Sequence, residues 1–323
     1  MPISKLAIGV DVGGTSVRVG LVNDRGQLLS KCSFLTKGAS SRDAMLGKIS
    51  ETVKELLVEA KRSRRGTVQG VGFGVPGPVD VERGFVYFFP NIPGWKNTPL
   101  RKLLEKKLRV PVFVDNDASA MAVGEFLFGA GRGSRNMIAL TLGTGVGGGV
   151  VLGGKLFHGH AFSATEVGHI TINENGPLCG CGNRGCLEVY VGNGYLVKEV
   201  KKRLDRGEKS VLKQWISQGQ TLTPELVARA AQQKDAFSKK IWCETGEHLA
   251  SGLAGLLNVL NPERVVIGGG VAGAGELLFK PLRDALGRKA FPIAAQSVKI
   301  SPAKLGTDAG LIGAAALVFN SQK

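Results

Sequence analysis

The feature that most constrains this chain is a pair of glycine turns, each set between two apolar runs. In the first, Leu-Ala-Ile-Gly-Val at 6–10 leads into Asp11-Val12-Gly13-Gly14-Thr15, and Val-Arg-Val-Gly-Leu-Val follows at 17–22. In the second, Met137 to Leu142 leads into Gly143-Thr144-Gly145, and Val146 to Leu152 follows. Short apolar runs punctuated by glycine read as strand–turn–strand units. A shift of 130 residues lays Ile8 on Ile138 and Gly13 on Gly143, so the two units overlay. The chain therefore reads as two topologically similar halves, each offering a glycine hairpin to a common cleft.

The segments between these units alternate in period. Met45, Leu46, Ile49, Val53, Leu56, Leu57 and Ala60 fall at helical spacing within 43–61. Val68 to Phe73 reads as a strand that ends in Gly74-Val75-Pro76-Gly77-Pro78. A helix is expected over 100–108, a strand over 111–114 and a helix over 117–128. Further on come a long helical region over about 223–260, broken near Gly246 and Gly252, a strand at Val265–Ile267 before Gly268-Gly269-Gly270, and a closing helix over 308–319. This alternation implies an α/β fold whose sheets are at least partly parallel. A length of 323 residues suits two domains. The expected division is a smaller domain of 1–116 plus about 308–323, holding the first turn, and a larger domain of 117–307, holding the second turn and a cysteine-rich loop.

Bulk properties exclude several classes. The N-terminus runs into a strand with no signal-peptide series, and no apolar run reaches the length of a membrane span, so a cytoplasmic location without membrane contact is expected. The net charge of +16 gathers at Lys61 to Arg65, Arg101 to Arg109 and Lys198 to Lys209. No aromatic residues interleave with these runs, which reads as solvated helix faces and not as a nucleic-acid surface. Of five cysteines, Cys32 and Cys243 stand alone, and an odd count argues against a disulfide framework.

The turns carry chemistry. Phosphate needs backbone N–H groups that can approach closely, which Gly13 and Gly14 offer in one turn, with the Thr15 hydroxyl as a further donor, and Gly143, Thr144 and Gly145 offer the same chemistry in the other. Asp11 stands where a hard carboxylate oxygen could hold Mg²⁺, directly or through water. Neither turn is a Gly-x-x-x-x-Gly-Lys loop or a Gly-x-Gly-x-x-Gly opening a helix. Separately, His169, Cys179, Cys181 and Cys186 make His-x9-Cys-x-Cys-x4-Cys, three thiolates and an imidazole with glycines that let the loop wrap. That is the donor set of a closed, structural Zn²⁺ site, whose binding is coupled to folding of the loop.

Asp-x-Gly-Gly-Thr followed by Leu-Gly-Thr-Gly resembles the phosphate signatures of the actin, hexokinase and Hsp70 superfamily. Glu166-Val167-Gly168-His169, then Cys179-Gly180-Cys181-Gly182-Asn183-Arg184-Gly185-Cys186-Leu187-Glu188, resembles the hallmark of the repressor–open-reading-frame–kinase (ROK) family. The resemblance runs from Asp11 to the Thr307-Asp308-Ala309-Gly310 segment. It implies two ribonuclease-H-like domains with a central ATP and sugar cleft that close over substrate, and an ATP-dependent sugar kinase, a glucokinase first. By the same resemblance Gly268, Gly269 and Gly270 form the adenosine-binding turn. Asp117 matches the catalytic base that accepts the sugar hydroxyl proton, and Asn116, Glu166, His169 and Glu188 match sugar ligands. Gly77 would approach the sugar through its backbone, and Asn91 would line the cleft. His169 would then serve zinc with one ring nitrogen and the sugar with the other.

The same motifs suit a kinase of N-acetylglucosamine or N-acetylmannosamine, or a broad hexokinase. Polyphosphate is an alternative donor, and a non-catalytic sugar sensor is the alternative from another class. The intact Cys-Gly-Cys-Gly speaks against the fructokinases of the family. Repressors of the family carry a helix-turn-helix ahead of the first strand, for which this sequence is expected to have no room. A dimer or tetramer is what the resemblance implies. One departure stands out: Thr165 precedes Glu166 where relatives often have glycine.

Overall fold

A computed structural model describes residues 5–36, 41–63, 66–89 and 94–321. In chain order the first elements are β1 (Lys5–Val12), β2 (Ser16–Asn23), β3 (Leu28–Leu35), α1 (Arg42–Ser63), β4 (Thr67–Val75), β5 (Val79–Asp80), β6 (Phe85–Phe88), β7 (Lys96–Thr98), α2 (Leu100–Leu108), β8 (Val112–Asn116) and α3 (Asp117–Phe128). They continue with β9 (Met137–Leu142), β10 (Val146–Leu152), β11 (Lys155–Leu156), α4 (Glu188–Val191), α5 (Asn193–Asp205), α6 (Val211–Ser217), α7 (Pro224–Gln232) and α8 (Ala236–Leu260). The last are β12 (Arg264–Gly268), α9 (Glu276–Lys289), α10 (Pro292–Ser297), β13 (Lys299–Pro302) and α11 (Ala309–Asn320).

The strands form two five-stranded sheets, β3-β2-β1-β4-β8 and β11-β10-β9-β12-β13, and a small sheet β5-β6-β7. The two large sheets share one topology: an antiparallel meander of three strands, then two strands added by crossover. In the first, β1 runs parallel to β4 and β4 to β8; in the second, β9 runs parallel to β12 and β12 to β13. The internal similarity in the sequence thus reflects a repeated α/β plan.

Two compact units divide the chain: residues 1–133, 149–165 and 304–323, and residues 134–148 and 166–303. The sequence reading placed α3 with the larger domain, but the helix packs against α11 and β4 of the first unit. Its apolar face buries Ala120 and Val123 beside Ala316 and Leu317, with Phe113 and Leu156 packed against them.

The core of the first unit has two layers. Leu6, Ile8, Val10 and Val12 of β1 point to one face and pack with Met45, Ile49 and Val53 of α1 and Leu100 and Leu104 of α2. Ala7 points to the other face, toward Ile312, Ala315 and Val318 of α11. The α11 backbone lies so close to this face that a Cβ at Gly9 would meet Leu311 O at 2.1 Å, and one at Gly72 would meet Ala314 O at 1.8 Å. Glycine in these strand interiors is the condition for that approach.

The expected breaks at Gly246 and Gly252 are absent: α8 is continuous, and the interruption falls between α7 and α8. There Lys234 takes φ +67° and Asp235 caps α8 by accepting the Ser238 N–H at 2.7 Å. The two glycines are contact points instead, Gly246 against α9 and Gly252 against Leu187. Packing holds them helical against their weak propensity.

One buried charge was not legible in the sequence. Glu125, at the end of α3, is fully buried and accepts N–H bonds from Ala130 at 2.7 Å, Lys304 at 2.9 Å and Leu305 at 2.8 Å. These amides replace the water that a carboxylate otherwise needs. Among the described residues no helix is long and apolar enough to cross a membrane.

Candidate functional site

The predicted residues fall into two sets, one in each unit. In the first unit the β1–β2 turn is closed by Gly13 N–H donating to Ser16 O at 2.9 Å, while Thr36 donates its hydroxyl to Gly13 O at 2.8 Å and its N–H to Thr15 O at 2.9 Å. Gly14 and Thr15 are exposed at the tip. Asp11, at the end of β1, is buried with 10 % of its side chain exposed, and Arg18 pairs with its Oδ2 while also donating to Thr307 O. Burial pushes the Asp11 carboxyl above the usual carboxylate range, and Arg18 opposes that by its charge and hydrogen bond. A further cation at this carboxylate would act in the same direction as Arg18. A single carboxylate beside exposed backbone amides fits Mg²⁺, which takes one or two carboxylates and the rest of its shell from water and substrate phosphate.

The β8–α3 junction holds the second group. Asn116, not Asp117, caps α3: its Oδ1 accepts the N–H groups of Ala118 at 2.9 Å and Ser119 at 3.3 Å. Its Nδ2 donates to Gly77 O at 3.2 Å, which ties the junction to the turn after β4, where Gly77 takes φ +85°. Asp117 is the first residue of the helix and is exposed, with Oδ1 accepting the Ala118 N–H at 2.8 Å. The Asp117 carboxylate thus stands in the first turn of α3, beside the capping residue. Asn91 lies outside the described residues.

In the second unit Gly143 N–H donates to Gly145 O at 2.9 Å, closing the β9–β10 turn, and Asn193 N–H donates to Gly143 O at 2.9 Å. Val146 N–H donates to Glu188 Oε2 at 2.9 Å. Gly268 pairs in register with Thr141, which brings the Gly268-Gly269-Gly270 turn beside the end of β9. Glu166 is exposed and precedes a 3-10 turn at Val167–His169, in which Glu166 O accepts the His169 N–H at 3.0 Å.

The donor atoms of His169, Cys179, Cys181 and Cys186 all lie within 4.8 Å of one another. Cys179 Sγ is 3.7 Å from His169 Nδ1, and Cys181 Sγ is 3.7 Å from Cys186 Sγ. Ligands of a tetrahedral zinc at about 2.3 Å lie about 3.8 Å apart, so the set fits Zn²⁺. The loop is held by backbone pairing, Cys179 N–H to Asn183 O at 2.7 Å and Gly182 N–H to Cys179 O at 3.0 Å, and by a small cluster of Cys179, Cys186 and Val189. Burial, with the neighbouring thiols, pushes Cys186 up to about 12, and burial raises Cys179 as well. A cation is what would let these crowded thiols ionise together. The Cys179 thiol lies 3.8 Å from Glu188 Oε1, so Glu188 touches the cluster with one oxygen and the glycine turn with the other.

Sequence reasoning missed one constellation. Asp115 Oδ1 accepts the Asn116 N–H at 2.7 Å, and Asp115 Oδ2 lies 2.8 Å from His158 Nε2. His158 follows β11 with no motif around it. Thr165, the residue that departs from the family pattern, takes φ +71°, which explains why glycine suits that place.

Comparison with known proteins completes the picture. The model of the ROK family matches residues 7–321. A glucokinase of Thermotoga maritima is 38% identical over 318 residues, 98% of this chain and 98% of that protein. A xylose repressor of Caldicellulosiruptor bescii is 32% identical over 97% of this chain, which spans 78% of the repressor. The crystal structure of a ROK family glucokinase from Streptomyces griseus in complex with glucose and AMPPNP matches with a TM-score of 0.79 and 36% identity, covering 97% of this chain and 98% of that one.

Proposed function

This chain belongs to the ROK family and is a hexose kinase, and we propose that it transfers the γ-phosphoryl group of ATP to the 6-hydroxyl of glucose. The observation that carries this reading is Asp117: an exposed carboxylate at the N-terminus of α3, next to the capping residue Asn116 and with Oδ1 on the Ala118 N–H. Its unshared oxygen electrons accept the proton of the sugar hydroxyl as that oxygen attacks phosphorus. Asn116, Gly77, Glu166, His169 and Glu188 hold the other sugar hydroxyls and fix the attacking oxygen in line.

The Gly14 N–H and the Thr15 hydroxyl in one turn and the N–H groups of Thr144 and Gly145 in the other receive the nucleotide phosphates, Gly13 and Gly143 closing the turns with their own N–H groups, and Gly268, Gly269 and Gly270 receive the adenosine. Asp11 holds Mg²⁺, which when bound neutralises charge on the phosphoryl oxygens. His169, Cys179, Cys181 and Cys186 hold a structural Zn²⁺ that fixes the His169 ring, leaving Nε2 for the sugar.

The resemblance to a xylose repressor supports one rival, a sugar sensor without chemistry. Asp11, buried beside the exposed first glycine turn, counts against it, since a carboxylate suited to Mg²⁺ is not needed to hold a neutral sugar. ADP release with Mg-ATP, measured across glucose, mannose, fructose, N-acetylglucosamine and N-acetylmannosamine, tests the proposal. A preference for glucose is the expected result. Preference for an N-acetylated sugar would replace the substrate and keep the chemistry. Silence with every sugar, repeated with polyphosphate as donor, would leave the sensor.

A further inference from the structure

His158 makes three connections within the first unit. Its Nε2 lies 2.8 Å from Asp115 Oδ2, its carbonyl accepts the Ala164 N–H at 3.1 Å, and its ring meets that of Phe162 edge-on, with centroids 6.5 Å apart. Each connection leads to the proposed acceptor site. Asp115 uses its other oxygen to hold the Asn116 N–H at 2.7 Å, and Asn116 caps the helix that begins with Asp117. Ala164 and Phe162 belong to the loop that runs to Glu166. That loop carries two non-glycine residues in the left-handed region, Phe162 at φ +55° and Thr165 at φ +71°. Such conformations persist only where surroundings over-determine them, and His158 supplies two of the contacts that do so.

We propose that His158 is a positioning residue for phosphoryl transfer, holding the Asp115–Asn116–Asp117 junction with its ring and the loop to Glu166 with its backbone and ring face. This rests on the reading of Asp117 as the base. Asp115 is the anion on the ring. The other charged residues lining the same cavity of about 380 Å³ are Arg101 and Lys155. Burial lowers the affinity of the ring for a proton, and the hydrogen bond and charge of Asp115 more than offset this, so His158 titrates above its ordinary value. The imidazolium–carboxylate pair therefore persists to higher pH than an ordinary histidine would allow and loosens as pH rises further.

The test compares wild type, His158→Gln, His158→Ala and Asp117→Asn in glucose phosphorylation from pH 6 to 9. Glutamine keeps a neutral donor for Asp115 and removes the titration. The expected result is a loss in kcat/KM of about tenfold or more in His158→Ala, because misplacement of a base is costly. His158→Gln should return activity to within about threefold of wild type and lack the wild-type decline at alkaline pH. Wild-type activity in His158→Ala would overturn the proposal, as would an unchanged alkaline decline in His158→Gln. Should His158→Ala fail to fold, the pH profile of His158→Gln decides alone. Full activity in Asp117→Asn would sink the reading of the site itself. An inactive Asp117→Asn beside an unaffected His158→Ala would sink only the role of His158.

Discussion

Glu188 Oε2 accepts the Val146 N–H at 2.9 Å, so the carboxylate that opens α4 also closes the turn between β9 and β10. Its Oε1 faces the Cys179 thiol at 3.8 Å. One side chain thus joins a proposed phosphate turn, a proposed metal knuckle and a proposed sugar contact.

Gly145→Ala tests that junction. A Cβ at 145 would lie 2.2 Å from Glu188 Oε2 and 3.1 Å from its carboxyl carbon, so the carboxylate must move. Glucose KM and ATP KM should both rise, by about tenfold, from displacement of order 1 Å. Steady-state kinetics at varied glucose and at varied ATP will measure this, and an effect on ATP alone would separate the turn from the sugar site.

Asp117→Asn should lower kcat by about 10²- to 10⁴-fold, the usual worth of a general base. Glucose binding measured by calorimetry should change little, because the amide retains the size and an acceptor oxygen.

Purified protein should contain about one zinc per chain, as a closed Cys₃His site demands. Cys181→Ser should lose the metal and lower the thermal midpoint, since the knuckle has only a small apolar cluster of its own. Elemental analysis and a melting curve with and without chelator are the checks.

Thr165→Gly should raise stability by about 1 kcal/mol, because a β-branched residue at φ +71° carries a left-handed penalty that glycine does not. A rise of about 2 °C in Tm is the corresponding reading.

The His158–Asp115 pair makes stability depend on pH with a definite sign. The folded-state pKa of His158 lies above its ordinary value, and in the unfolded chain it is about 6.5. The folded state therefore holds the proton more tightly. The stabilisation is fully present below the unfolded value and fades as pH rises through the folded one. Urea midpoints of wild type should exceed those of His158→Gln most at about pH 5.5, and the gap should narrow by pH 9.

The sequence by itself determined whatever depends on short-range pattern. The strands of both hairpins, α2 at Leu100–Leu108 and α3 at Asp117–Phe128 follow from period and turn residues alone. The four metal donors fall within 18 residues, so their chemistry was legible from spacing. Tertiary structure decided what depends on elements distant in the chain. Whether Gly246 and Gly252 break α8 turned on packing against α9 and Leu187, which no local propensity contains. That Asn116 and not Asp117 caps α3 was settled by how β8 delivers the backbone to the helix. Glu125 and Lys304 meet across 179 residues, and Asp115 and His158 across 43. A hydrogen bond between separate elements leaves no periodicity behind, because its partners are selected by the geometry of the folded chain and not by their spacing along it.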